Sequence, residues 1–167
     1  MPATIYTICG CVGAGKSTLA RKLVDEHKAL LFSGDEWMST LFFPDLTGEP
    51  EFDWIWERMG RNETQMWRQV LQAATQGISS VLDLGMTTKD HREKFANLAK
   101  EAGLPLELHW LDIPTETRWE RTQKRNEGAE ETYVFEVSRK DFDFVDGMWE
   151  EPTAEEMLSM NCVKHTA

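Results

Sequence analysis

Basic residues are scarce in this chain: 18 Lys and Arg stand against 29 Asp and Glu, for a formal net charge of −11. That deficit opposes any function whose affinity comes from neutralising a phosphate backbone, so nucleic acid is not an expected partner. Cysteine is sparse as well. Only three are present, and Cys9 and Cys11 stand one residue apart, which suits neither a disulfide framework nor the C-x-x-C spacing of metal sites. No apolar run approaches the roughly 20 residues of a membrane span. Met1 to Gly10 lacks the basic start and long apolar stretch of a signal peptide. Internal repeats, low-complexity tracts and linker-like stretches are missing too, and the four histidines share no spacing that would make a metal or catalytic set. These absences point to one domain, residues 1–167, in a reducing cytoplasm and away from membranes.

What is present is an alternation of short apolar runs and amphipathic stretches. Ile5 to Ile8, Ala29 to Phe32, Ile78 to Leu84 and Leu104 to Leu111 read as strands, each running into turn residues or, in the last, tolerating Pro105 near its start. Between them, Glu36 to Phe43 reads as a short helix and Asp53 to Gln76 as a long one with Ile55, Met59, Met66, Val70 and Ala73 near one face. Gly60 is a candidate break in it. Phe95, Leu98, Ala99 and Ala102 recur at helical spacing before Gly103. Beyond Pro114 a charged segment, Glu116 to Gly128, leads into an acidic tail that reads as irregular, with a faint fifth strand near Asn161 to His165. The expected fold is α/β, a three-layer P-loop NTPase arrangement with a mostly parallel sheet of four or five strands and a lid over about 114–140.

The sharpest signal is Gly10-Cys11-Val12-Gly13-Ala14-Gly15-Lys16-Ser17, which satisfies every fixed position of G-x-x-x-x-G-K-[ST] between a predicted strand and a predicted helix. Glycines let such a loop turn backbone N–H groups toward phosphate oxygens, and the helix presents its positive end to the same anion. Gly10, Gly13, Ala14, Gly15, Lys16, Ser17 and Thr18 are the expected nucleotide contacts. Within them Lys16 would reach the β- and γ-phosphates and Ser17 would ligate Mg²⁺. No N/T-K-x-D guanine-reading motif accompanies the loop, which leaves small ATP-dependent kinases ahead of GTPases.

Two aspartates fall just after strands two and three, at the sheet edge where open α/β folds bind ligands. Asp35 reads either as the general base for an acceptor hydroxyl or as a helix N-cap within Ser33-Gly34-Asp35-Glu36. Asp83 reads either as a magnesium carboxylate or as a structural hydrogen-bond acceptor. Arg118, Arg121 and Arg125 share a helical face and could converge on one anion, or belong to a solvated helix laced with ion pairs. Residues 33–57 hold seven acidic side chains and no Lys or Arg, alongside Trp37, Trp54 and Trp56. The segment is either an acceptor side that favours an amino-bearing molecule or ordinary surface acidity.

These motifs together, Gly10 to Ser17, Phe32-Ser33-Gly34-Asp35, Val81-Leu82-Asp83 and Glu120-Arg121 to Arg125-Asn126, resemble the small P-loop kinases related to zeta-toxin, chloramphenicol phosphotransferase and polynucleotide kinase. The resemblance spans roughly residues 4–130, and Glu150-Glu151-Pro152 is similar to a tail found in that group. It implies that Asp35 activates the acceptor hydroxyl and that Arg121 and Arg125 belong to a lid contacting the transferred phosphate. The resulting expectation is an Mg²⁺- and ATP-dependent phosphotransferase acting on a small-molecule hydroxyl. A nucleotide-binding regulatory NTPase and a 5′-hydroxyl nucleic-acid kinase are the alternatives.

Overall fold

The computed structural model describes residues 2–128 and 136–166. Five strands, β1 (Ile5–Cys9), β2 (Leu30–Ser33), β3 (Ser80–Asp83), β4 (Leu106–Asp112) and β5 (Val163–Thr166), form one sheet in the order β2-β3-β1-β4-β5. All four pairings are parallel. Every residue of β1 is buried, as befits a strand covered on both sides. Its alternation sorts side chains between two cores: Ile5 and Cys9 join one, Tyr6 and Ile8 the other.

Helix α1 (Lys16–His27) covers the Tyr6 and Ile8 face with Ala20 and Leu23. The opposite face is covered by α3 (Phe52–Thr75) through Met66 and Val70, and by α4 (Lys89–Glu101) through Phe95 and Ala99. The result is the expected three layers. Short helix α2 (Gly34–Leu41) and a single 3-10 turn, Phe43–Asp45, connect β2 to α3. Helix α3 runs unbroken through Gly60, where nothing lies within 4 Å of a Cβ position.

The acidic tail is not irregular. It contains α6 (Arg139–Asp146) and α7 (Ala154–Ser159), each started by a hydroxyl cap: Ser138 accepts from the Asp141 amide and Thr153 from the Glu156 amide. Thr153 and Glu156 form a reciprocal capping box. Helix α7 is anchored by Arg92 of α4, whose guanidinium is almost fully enclosed and donates to both carboxylate oxygens of Glu156, at 2.8 and 3.4 Å. The faint last strand does form, as edge strand β5. Of the lid expected over 114–140, residues 129–135 lie outside the described residues. Its described part holds α5 (Thr115–Asn126) and the start of α6. Asn126 ties α5 to the residues just before α6, its side chain bonding Val137 N and O at 3.0 and 2.8 Å. Among the described residues no helix is long and apolar enough to cross a membrane.

Candidate active site

The sheet's order reverses at β1, since the chain moves to β2 and β3 on one side and to β4 and β5 on the other. Such a switch point leaves a crevice beyond the strand ends. The loop leaving β1 fills it. Gly13 has φ of 77° and makes a close approach: a Cβ there would stand 2.2 Å from Arg118 O and 2.6 Å from Thr122 Oγ1. The loop is therefore seated directly on α5. Helix α1 starts with no side-chain cap and no acidic residue in its own first turn, so its positive end is open to an anion. Lys16 Nζ donates back to Gly10 O and Cys11 O, at 2.9 and 3.0 Å, which holds its ammonium across the loop. Thr18 is exposed on the same first turn.

The pleat decides where Asp83 points. Val81 faces the α1 core, so Asp83, two residues on, faces α1 as well. Its Oδ2 accepts a hydrogen bond from Ser17 Oγ at 2.8 Å. Burial raises the Asp83 pKa, while the Lys16 charge and the Ser17 hydroxyl oppose that rise. Among the described residues no three His, Cys, Asp or Glu side chains are grouped to hold a metal. A hydroxyl beside one buried carboxylate fits a cation that takes its remaining ligands from phosphate and water, as Mg²⁺ does.

Asp35 does not cap α2. Ser33 has the extended backbone of a cap and accepts from the Glu36 amide at 3.3 Å, whereas Asp35 lies inside the first turn. Asp35 is exposed, yet the protein around its carboxyl partly desolvates it. That desolvation, followed by the negative charge of Asp83, raises its pKa against the pull of Lys16 and Arg125. Lys16, Asp83 and Arg125 thus all lie within electrostatic reach of Asp35.

The three arginines of α5 do not act as one set. Arg118 is buried and structural, donating to Ile113 O, Val12 O and Thr115 Oγ1 and pairing with Asp146 at 2.8 Å. Arg121 lies over the loop and donates to Ala14 O at 3.3 Å. Arg125 has a buried Nε without a hydrogen-bond partner. Cys11 is packed into the loop, where burial and then the Asp146 carboxylate push its pKa up to about 11, so it stays a thiol. Trp37, Trp54 and Trp56 each have a different neighbour: Phe32, the Arg58 guanidinium 3.8 Å from the Trp54 ring centroid, and Phe52.

Two buried polar residues of α3 escaped the sequence reading. Asn62 and Glu63 lie on the stripe that carries Met59, Met66 and Val70, and both are buried. Glu63 accepts from His91 Nε2 at 2.7 Å and Lys94 Nζ at 2.5 Å. Burial alone would raise its pKa, but these two partners outweigh that and hold it below the usual carboxylate value.

A family model described as an AAA domain matches residues 5–143. No curated protein matches the chain in sequence. Among solved structures, Kti12 of Chaetomium thermophilum in complex with ADP-AlF3 has a TM-score of 0.72 at 16% identity, covering 97% of this chain and 88% of that one. A sugar kinase from a Janibacter species has a TM-score of 0.68 at 18% identity, with 99% and 86% covered. The Mycobacterium tuberculosis APS kinase CysC, in complex with AMPPNP and APS, has a TM-score of 0.61 at 17% identity, with 99% and 88% covered. At such identities the likeness establishes the fold.

Proposed function

The chain belongs to the AAA domain family and shares the fold of small P-loop kinases, and on that premise we propose that it transfers the γ-phosphate of ATP to a hydroxyl of a small molecule. The observation that carries this reading is the meeting of the Lys16 loop, the Ser17–Asp83 pair and an uncapping Asp35 at one edge of the sheet. Bound Mg·ATP supplies the electrophilic phosphorus and a divalent charge on its phosphate oxygens. Lys16 turns its ammonium from the loop carbonyls to the β- and γ-phosphates. Ser17 Oγ would be the ligand for Mg²⁺, and Asp83, which accepts from that hydroxyl, would hold it in place. Asp35 takes the acceptor's proton, and its raised pKa makes it a stronger base than an ordinary aspartate. Arg121 and Arg125 place positive charge over the equatorial oxygens and exclude water from the closed site.

The seven acidic residues of 33–57 support an amino-bearing acceptor and, with the net charge of −11, oppose a polyanionic one. The test is a screen of hydroxyl compounds that follows ATP consumption. Stimulation by one chemical class, abolished by Lys16→Ala, is the expected result. Slow hydrolysis that no acceptor accelerates would instead favour the nucleotide-binding regulatory module.

A further inference from the structure

Edge strand β5 rests on β4 with little apolar cover. Of its four side chains, Val163, Lys164 and Thr166 are exposed and only His165 is half-buried. Lys164 pairs with Asp112 at 2.8 Å and lies over the Trp110 ring, but both are surface contacts of modest strength. The inward anchor is His165. Its Nε2 stands 2.9 Å from Nδ1 of His109, a buried residue of β4. The two ring planes differ by only 20° and the ring centroids are 5.2 Å apart, which leaves these nitrogens pointing straight at each other.

A pair of imidazoles joined in this way needs one proton between the two nitrogens and has no room for a second. Glu107 Oε1 lies 2.8 Å from His109 Nε2. The angle there is poor for a hydrogen bond, yet the carboxylate favours a proton on that nitrogen over a lone pair. His109 then carries its proton on Nε2, and its Nδ1 accepts from His165 Nε2–H. An added proton can enter at the free Nδ1 of His165 and leave that hydrogen bond intact. A further one must go to His109 Nδ1, where two N–H groups would face each other and the bond would be lost.

We infer that the His109–His165 pair is an acid-released latch, which fastens β5 to β4 while it holds no more than one extra proton and lets β5 go when both rings are charged. The surrounding groups work in opposite directions. Glu107 on β4 attracts protons to the pair, whereas Lys22 and His27 on α1 repel them. Tyr6 on β1, stacked on His27 and tilted against His109, is neutral and covers the buried ring. Burial is the largest influence on both histidines and lowers the pKa of each. For such a group stability is present above the unfolded pKa and is lost as pH falls through the native one. The latch is therefore closed at neutral pH and opens on the acid side.

The experiment titrates the full ¹⁵N-labelled chain and follows the histidine rings and the backbone amides of β5 and α4 by NMR, in wild type, His165→Gln and His27→Gln. In wild type His165 should take up the first proton while the β5 amides keep their positions. Loss of β5 should follow in a second step at lower pH. Both steps should lie below the ordinary histidine value of 6.5, with the Phe95 amide of α4 still reporting a folded core. Gln at position 165 can donate its amide N–H to neutral His109 Nδ1 or, turned over, accept from the protonated nitrogen. His165→Gln should thus keep β5 docked and move its loss to lower pH by about one unit or more, the equivalent of one hydrogen bond. Loss of β5 at the first proton, or only together with the Phe95 amide, would overturn the inference, and so would an unmoved midpoint in His165→Gln. An equal shift in His27→Gln would overturn it too, by assigning the deciding proton to α1. The order of the two steps in wild type needs no variant, so a His165→Gln chain that failed to fold would leave that comparison decisive.

Discussion

Ser17 Oγ donates to Asp83 Oδ2 at 2.8 Å, which ties the first turn of α1 to the end of β3 across the sheet's switch point. Asp83 is buried and its pKa is raised, so at neutral pH its ionised form costs stability: for a group whose native pKa is raised, stability is present below the unfolded value and lost as pH rises through the native one. A buried charge kept at that cost suits metal work. Asp83→Asn should weaken Mg·ATP about 10- to 100-fold, the range for groups that orient a metal ligand. It should leave the Tm of the free protein unchanged or higher. Calorimetry with and without Mg²⁺ checks the first part and thermal melting the second.

Gly13 is predicted to tolerate no side chain. A Cβ would lie 2.2 Å from the backbone oxygen of Arg118, and the residue's φ of 77° is strained for any L side chain. The nearest atom is backbone, and the Thr122 hydroxyl beside it is itself bonded to Arg118 O, so there is little to move aside. Gly13→Ala should cost about 2–5 kcal/mol, the sum of left-handed strain and overpacking. It should also abolish the rise in Tm that Mg·ATP gives wild type.

The main strands were legible because their apolar runs end in turn residues, and the phosphate loop because its spacing is set by backbone geometry. Helix α7 was hidden by Pro152 and by charge, although Thr153 and Glu156 spell a capping box at its start. Asp35 and Ser33 both offered cap chemistry, and only the extended backbone at Ser33 decides between them. Asn62 and Glu63 are polar letters on an apolar stripe. Their i+3 and i+4 spacing from Met59 placed them inward, but residue type argued for the outer face. Arg118, Arg121 and Arg125 share a helical face, yet burial separates them, because Gly13 brings the loop down onto Arg118 and leaves the later arginines toward the cleft.

That separation predicts opposite behaviour for two similar substitutions. Arg118→Met removes three hydrogen bonds and an ion pair from a buried position and should cost several kcal/mol, about 3–5 being usual for breaking a buried pair. Arg125→Met removes a guanidinium whose Nε has no partner, so Tm should hold. Phosphoryl transfer should nevertheless fall by about 10²-fold or more, as for loss of one donor to a developing anion. Melting and steady-state rates on the two variants decide it.

Glu156 gives the fold an acid limit. Burial draws its pKa upward, but the hydrogen bonds from Arg92 and Thr153 outweigh that and hold it below its ordinary value of 4.5. For a depressed carboxylate, stability is fully present above the unfolded pKa and is lost as pH falls through the native one. Glu156→Gln strands the buried Arg92 charge and should lower Tm at pH 7 by roughly 6–20 °C. The gap between variant and wild type should narrow as pH drops below 4.5. A gap constant across that range would mean that shape rather than charge holds α7 to α4.

Asp35→Asn separates chemistry from structure most cleanly, because Ser33 and not Asp35 caps α2. Asn keeps the size of the side chain, and it cannot take a proton. If Asp35 is the base, transfer to the acceptor should fall by about 10²- to 10⁴-fold. The affinity for Mg·ATP should hardly change, and Tm should hold or rise slightly, since the repulsion from Asp83 is relieved. The acid limb of the wild-type kcat/KM profile should lie above 3.8, the ordinary aspartate value, because burial and the Asp83 charge both raise the group. That limb should move to lower pH in Asp83→Asn. Near-wild-type turnover by Asp35→Asn would remove Asp35 from the mechanism and leave Glu36 or Asp83 as the carboxylate to test. Loss of Mg·ATP binding instead would make Asp35 a metal-site residue and reverse its division of labour with Asp83.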